Sequence, residues 1–225
     1  LEVYNDIDED LVNLFRVLRS DGSDRFDRFW RYVALTPYSR AEHRYACQRY
    51  RDEGLDEVER AALFYVAVRQ SVNGVVGGAW ARSRFYSRSG MAKAVSAWLG
   101  HLERLPEISA RLADVVIECL DFEEVVRRYD SEWTFFYMDP PYLPETRVVK
   151  RAYRHEMTVE DHTRLQELLA GVRGKVMLSG YRNERYDRYL SDWNRLEFGA
   201  VTHAAVGSRS RRVEVVWTNY EVALV

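Results

Sequence analysis

The residues best suited to chemistry form one short run, Asp139-Pro140-Pro141-Tyr142, directly after the apolar segment Trp133–Met138. In open α/β sheets, ligands bind beyond the carboxyl ends of the strands. The prolines have no amide hydrogen and fix a backbone in which the carbonyls of Asp139 and Pro140 point outward. With the Asp139 carboxylate and the Tyr142 ring, the run can hold an amino group while stacking on the ring that carries it. An ordinary strand end with a proline-stiffened turn is the alternative.

Alternating strands and helices must position this run. Apolar runs with β-branched residues predict strands at 1–6, 115–117, 134–138, 175–178, 196–198 and 213–217. Asp8 is placed to cap a helix that continues to Leu18. Thr158 and Asp161 have the spacing of a capping box and predict a helix over 158–169. This alternation is typical of an α/β sheet.

A helical block interrupts the alternation. Apolar residues recur within it at helical spacing, and a loop rich in Gly, Ser and Arg covers 73–90. Pro106 is expected to end its last helix, because proline removes a helical hydrogen bond. We therefore predict an α/β domain made of residues 1–21 and 107–225, with an all-helical insert at 22–106.

The composition excludes several classes of protein. With 225 residues, of which 47% are hydrophobic, the chain is too apolar for a disordered protein. It has no apolar run of the roughly 20 residues that span a membrane, and its first residues do not have the pattern of a signal peptide. Two cysteines cannot form a disulfide framework, so we expect a reducing, cytoplasmic compartment. The five histidines are scattered, so we expect no metal site.

The basic residues are nearly all arginine. Of the 33 basic residues, only Lys93, Lys150 and Lys175 are lysine. Codon bias in a GC-rich genome is one interpretation. The other is functional, because arginine forks suit phosphates and guanine edges. The net charge of −2 does not exclude nucleic-acid binding, because the location of charge decides the local field.

The run at 139–142 resembles the catalytic motif of S-adenosylmethionine-dependent amino methyltransferases. The rest of the chain resembles, in order, the Dam-type (D12 class) DNA adenine-N6 methyltransferases. The stretches that carry this resemblance are Glu2–Asp8, Phe64–Gly74, Asp121-Phe122, His155–Thr158 with His162, Leu178-Ser179-Gly180-Tyr181 and Glu214–Tyr220. The resemblance implies a Rossmann-like methyltransferase sheet with an inserted helical subdomain for DNA recognition.

The resemblance also implies an activity and its residues. A site-specific enzyme would transfer a methyl group from S-adenosylmethionine to N6 of an adenine flipped out of the duplex. Asp139, Pro140, Pro141 and Tyr142 would be catalytic. The Asp139 side chain and the Pro140 carbonyl would hold the amino hydrogens and favour a pyramidal nitrogen that attacks the methyl group in line, while Tyr142 stacks on the base.

For the cofactor, the resemblance implies three acidic residues and one ring. Asp6 would accept the ribose hydroxyls, with a turn or helix-capping acid as the alternative. Asp121 would accept the amino group of the cofactor adenine, on which Phe122 packs, and a helix cap is the alternative. Asp139 would border the same cofactor.

Basic and aromatic residues interleave over 79–93, a pattern that suits contact with phosphates and stacking on bases. A solvated loop with a few buried rings is the alternative. A second basic stretch, 207–212, suits either phosphate contact or a hairpin turn. The residues predicted to bind DNA are Asn73, Arg82, Arg84, Arg88, Lys93, Arg209 and Arg211.

One departure from the family pattern is plain. The family's Gly-rich cofactor turn and an earlier lysine-bearing motif are expected before Leu1, and we expect the N-terminal part of the domain to be missing from this sequence. Two other readings stay open: a truncated or catalytically silent DNA-binding relative, and a methyltransferase acting on cytosine N4 or a glutamine amide. The expected partner is double-stranded DNA, without membrane or metal. The protein would be a monomer or weak dimer, bacterial or phage-encoded.

Overall fold

The structure, a computed structural model, describes residues 1–19, 21–83, 87–88, 90–146, 154–201 and 211–222. For residues 87–88, 200–201 and 211–212 the description covers the backbone alone. The chain divides into two compact units, a first unit of Leu1–Leu120 and a second unit of Asp121–Val225. Both units combine helices with strands, so the fold is mixed α/β, as predicted.

The first unit is mainly helical. Its elements are β1 (Glu2–Asn5), α1 (Glu9–Leu18), α2 (Arg25–Leu35), α3 (Arg40–Arg49), α4 (Glu57–Arg69), β2 (Ser87–Arg88), β3 (Met91–Ala92), α5 (Lys93–Leu112) and β4 (Val115–Glu118). β1 and β4 pair in parallel, with Glu2 opposite Val115 and Asn5 opposite Glu118. Asp8 caps α1 as predicted, because its carboxylate accepts from the first amides of the helix.

Helix α4 organises the core of the first unit. A capping box between Asp56 and Glu59 fixes its start. Eight of its residues are buried, so it lacks the polar face of a surface helix. It packs against α1, α2 and α3. The Phe29 and Tyr65 rings meet edge to face at 5.5 Å.

The second unit is built on one sheet. Its elements are α6 (Phe122–Tyr129), β5 (Phe135–Met138), α7 (Val159–Leu169), β6 (Lys175–Tyr181), α8 (Glu184–Tyr189), β7 (Asn194–Val201) and β8 (Arg211–Thr218). The strand order is β5-β6-β8-β7. β5 and β6 are parallel, and β8 is antiparallel to both of its neighbours. The six predicted strands of the two units are therefore confirmed.

The core of the second unit lies between this sheet and the helices α7 and α8. Val176, Leu178, Val215 and Trp217 of the sheet are at most 1% exposed. His162 is 1% exposed, and its Nδ1 lies 2.7 Å from the Tyr186 hydroxyl. It is a structural residue of this core.

The prediction that Pro106 ends a helix is wrong. α5 runs from Lys93 to Leu112 with Pro106 inside it. An interior proline costs about 3 kcal/mol. Packing of Trp98, Leu102 and Leu105, which are at most 7% exposed, offsets this loss. The hairpin of β2 and β3 begins in the predicted loop and ends just beyond it, at Ala92, and its two-residue strands lack the β-branched alternation that would have indicated them.

The two compact units do not divide at the predicted domain boundaries. α1 belongs to the same core as α2–α5, and α5 continues past residue 106, so the contacts divide the chain between Leu120 and Asp121. A Rossmann-like sheet with a DNA-recognition insert at 22–106 stays a prediction.

The N-terminal cap of α7 gives a local test of the fold. The Thr158 hydroxyl accepts the amide of Asp161 at 3.1 Å, and the Asp161 carboxylate accepts the amide of Thr158 at 2.9 Å. We expect Thr158→Ala to weaken the first turn by about 1 kcal/mol, which speeds its amide hydrogen exchange about fivefold. Thr158→Ser keeps the hydroxyl and serves as the control. Equal exchange in both variants would contradict the capping role.

Candidate active site

Asp139 lies directly beyond the carboxyl end of β5. The last register pair between β5 and β6 joins Met138 to Leu178. The carbonyls of Asp139 and Pro140 therefore lie outside the parallel ladder, and Asp139 is exposed. This is the edge at which parallel sheets bind ligands.

Leu143 anchors the turn that follows. Its side chain is 4% exposed and belongs to the core of the second unit. The Thr146 amide and hydroxyl donate to the Leu143 carbonyl at 2.9 and 2.8 Å. The resulting 3₁₀ turn, Pro144–Thr146, holds the chain after the prolines in one conformation.

Ser179 on β6 contacts Asp139 directly. Its Oγ lies 2.7 Å from Asp139 Oδ1 and 3.2 Å from the Met138 carbonyl. The shorter distance is that of a charge-assisted hydrogen bond to a carboxylate. Ser179 therefore fixes one oxygen of the Asp139 carboxylate.

Tyr142 joins the same group of side chains. Its ring meets the Tyr181 ring edge to face at 4.6 Å. Burial raises the pKa of Tyr142, and the nearby Asp139 charge raises it further, so the hydroxyl stays protonated. The hydroxyl hydrogen-bonds with Asp139 and Ser179.

The structure adds Ser179 and Tyr181 to the residues predicted at this site. The stretch Leu178–Tyr181 carried part of the family resemblance, but it was given no role. Residues 179 and 181 alternate along β6 and therefore lie on one face of the sheet. That spacing was a usable signal, but only the register of β5 against β6 brings this face to Asp139.

Asp121 and Phe122 lie at the start of α6 in the second unit. Asp121 caps this helix, so the capping interpretation is confirmed: its Oδ1 accepts the Glu123 amide at 2.9 Å. The same oxygen accepts Arg164 Nη2 at 2.9 Å. The Arg164 guanidinium also lies 4.9 Å from the centre of the Phe122 ring. Arg164, which the sequence analysis did not single out, therefore covers both predicted cofactor residues.

Asp6 lies at the end of β1 in the first unit. Its Oδ1 accepts the Asp8 amide at 2.8 Å, and its Oδ2 accepts the Tyr4 hydroxyl at 3.1 Å. Burial raises the pKa of Tyr4, and the Asp6 charge adds to the shift, so this hydroxyl remains a donor. Asp6 thus has the contacts of a turn acid, and a role toward ribose stays a prediction.

The residues predicted to bind DNA are dispersed. Asn73 is exposed in a tight turn, Val72–Gly74, where its φ of 56° is in the left-handed region. Arg82 and Lys93 are exposed. Arg88 lies in β2 and Arg211 in β8, each described by its backbone only. Arg84 and Arg209 lie outside the described residues.

Comparison with protein families gives one match. The model of the D12 class N6 adenine-specific DNA methyltransferases matches residues 2–204. The chain belongs to this family. A search of the curated proteins finds no match. The match confirms the resemblance that the sequence motifs indicated, and the methyltransferase uses S-adenosylmethionine to methylate adenine N6 in DNA, as the family does.

Across the part of the chain that the structure describes, no group of three or more His, Cys, Asp or Glu residues could hold a metal ion. Within that same part, every helix is too short or too polar to cross a membrane.

Leu143 provides a test of the anchored turn. Leu143→Ala leaves a cavity in the core of the second unit, and we expect it to lower the free energy of unfolding by about 2–5 kcal/mol. Leu143→Met keeps the volume and should cost less than about 1.5 kcal/mol. Urea unfolding followed by circular dichroism measures both. An alanine variant as stable as the methionine variant would show that the turn is not anchored by this side chain.

Proposed function

We propose that this methyltransferase acts on adenine at specific sites in duplex DNA, with Asp139, Pro140, Pro141 and Tyr142 as its catalytic residues. The observation that carries the proposal is the Asp139 carboxylate, held by Ser179 at the carboxyl end of β5. An acceptor fixed in this way beside an aromatic ring suits an amino group on a planar base.

Hydrogen-bond acceptors can overcome the low nucleophilicity of the adenine amino group. The exocyclic amine of adenine is a weak nucleophile, because its lone pair is delocalised into the ring. The Asp139 carboxylate and the Pro140 carbonyl each accept one amino hydrogen, which favours a pyramidal nitrogen with a localised lone pair. Pro141 keeps the backbone of the turn rigid. Positioning and electrostatic stabilisation then carry most of the rate enhancement.

The target base must leave the duplex before it reaches these acceptors. Tyr142 provides the surface on which the flipped base stacks, a contact worth about 1–3 kcal/mol. Tyr181, whose ring supports Tyr142 edge on at 4.6 Å, keeps that surface in place.

The residues present fit S-adenosylmethionine by the chemistry of their side chains. Asp121 Oδ2 has no partner among the described residues and suits the amino group of the cofactor adenine, with the half-buried Phe122 ring beside it. Asp6 is an acceptor suited to the ribose hydroxyls, and Asp139 borders the methyl group. When bound, the cofactor supplies an electrophilic methyl group on a sulfonium sulfur.

Residues 22–106 form the DNA-recognition insert. Of the residues in it that we propose to contact DNA, the structure describes the side chains of Asn73, Arg82 and Lys93. The protein works as a monomer or weak dimer in the cytoplasm of a bacterium, or of a host infected by a phage. Mapping modified bases in DNA from cells that express the chain tests target base and sequence specificity together.

Replacing the predicted acceptor tests the mechanism. We expect Asp139→Ala to slow methyl transfer by at least about 100-fold, because a fixed electrostatic contact to the reacting group is lost. Cofactor affinity, measured by calorimetry, should change only a fewfold. Asp192→Ala removes an exposed carboxylate of the same unit and is the control. Near wild-type methylation by the Asp139 variant would refute the mechanism.

Removing the Ser179 hydroxyl tests the positioning of Asp139. A hydrogen bond to a charged group contributes about 1.5–3 kcal/mol, so Ser179→Ala should lower kcat about 10- to 100-fold. The KM values for cofactor and DNA should stay within about twofold, and Ser179→Thr, which keeps the hydroxyl, should restore kcat. If Ser179→Ala changed only stability, or if threonine failed to rescue kcat, the hydroxyl would have no positioning role.

A further inference from the structure

Helix α3 presents a polar stripe to solvent. Arg40, Arg44 and Gln48 are exposed and follow one another at intervals of four residues, so they lie on one face of the helix. The inner face buries His43 and Ala46. None of the three exposed residues was among those predicted to bind DNA.

The two arginines of the stripe differ from their neighbours in their partners. Arg49 pairs with Asp52, and Arg51 pairs with the buried Asp10. Neither Arg40 nor Arg44 has a carboxylate within ion-pair distance among the described residues. Arg40 instead lies over the Trp80 ring, 5.0 Å from its centre. Both guanidinium groups are therefore available for an external anion.

The stripe borders a groove with a volume of about 310 Å³, which we name the α3 groove. One wall is α3, and the other is the segment 77–80. Among the residues that the structure describes, no acidic side chain lines it; the lining residues are Arg40, His43, Arg44, Cys47, Gln48, Gly77, Gly78 and Trp80. Two of the residues in the second wall are glycines, which have no side chain to fill the groove. Gly77 has a φ of 76°, and a Cβ on Gly78 would lie 2.8 Å from the Val75 carbonyl.

Buried hydrogen bonds hold the two walls together. Gln70, fully buried at the end of α4, accepts the Ser39 amide at 3.1 Å, at the start of α3. His43 Nε2 lies 2.7 Å from the Ser71 hydroxyl. The segment 77–80 is tied to the end of α4 by the next residue, Ala81, whose amide donates to the Gln70 carbonyl at 2.8 Å. The groove is therefore preformed, which lowers the entropic cost of binding.

We propose that the α3 groove binds the sugar–phosphate backbone of duplex DNA, with Arg40 and Arg44 each contacting a phosphate. The inference rests on the proposed function, which brings DNA to this protein. It adds Arg40 and Arg44, which lie outside the predicted segment at 79–93. Two planar guanidinium groups that have no carboxylate partner within the described part of the chain, beside a groove whose described lining holds no acidic side chain, complement a row of phosphates. Such contacts position the protein on DNA without reading its sequence.

The salt dependence of binding tests this proposal. Each phosphate contact contributes about 0.9 to the slope of log affinity against log salt. Arg40→Gln/Arg44→Gln should therefore reduce the slope by about 1.8, measured by fluorescence anisotropy with a labelled 30-base-pair duplex of random sequence. Arg40→Lys/Arg44→Lys keeps both charges and should retain most of the slope.

A matched control removes the same charge elsewhere. Arg128→Gln/Arg188→Gln replaces two exposed arginines, on α6 and α8, that pair with neighbours on their own helices. It should leave the slope unchanged. A glutamine variant of the α3 groove with the wild-type slope, or a control with an equal loss, would overturn the proposal.

The same experiments separate this inference from the proposed function. If the wild-type chain methylates adenine and the α3 groove variant binds with an unaltered slope, only the inference fails. If the wild-type chain neither binds the duplex nor methylates it, the proposed function fails first. The single substitutions Arg40→Gln and Arg44→Gln should each reduce the slope of log affinity against log salt by about 0.9. Circular dichroism of each variant confirms that binding changes do not reflect unfolding.

Discussion

The parallel pairing of β5 with β6 is the constraint on which the candidate active site depends. The register that joins Met138 to Leu178 places Ser179 beside the first residue after β5. A slip of one residue would turn Ser179 and Tyr181 to the opposite face and leave the Asp139 carboxylate without its hydrogen bond. The buried side chains of Val176 and Leu178 hold that register, because a slip would also expose them. Core packing and site geometry are thus specified by the same side chains.

The first unit shows a different way to prepare a binding surface. α4 is buried along most of its length, so the helices around it cannot shift without opening the core. Gln70, at the end of α4, accepts a hydrogen bond from the Ser39 amide and so ties the start of α3 to this core. The arginines of the α3 groove are exposed, but the backbone that presents them is tied to the core. Exposed charged side chains on a fixed backbone suit a charged, extended ligand such as DNA.

Local patterns predicted much of the fold. Apolar runs with β-branched residues indicated the strands, and the capping signals at Asp8 and Thr158 marked helix starts that the structure confirms. Local rules failed where tertiary packing was stronger. Pro106 lies inside α5, because neighbouring apolar residues are buried. The hairpin β2–β3 has strands too short to leave a periodic signal. The division into units also depends on contacts between segments distant in sequence, which a linear pattern cannot reveal.

The sequence by itself determined the chemistry and the family, because Asp139-Pro140-Pro141-Tyr142 after an apolar strand is a local feature that needs no distant partner to be visible. It also supplied both interpretations of Asp121, an acid beside an aromatic ring that can cap a helix. Only the tertiary structure decided which side chains hold these residues: Ser179 on Asp139, Tyr181 on Tyr142, and Arg164 over Asp121 and Phe122. The physical reason is that such contacts join residues about 40 apart in the chain, at distances set by strand register and helix packing rather than by neighbouring residues.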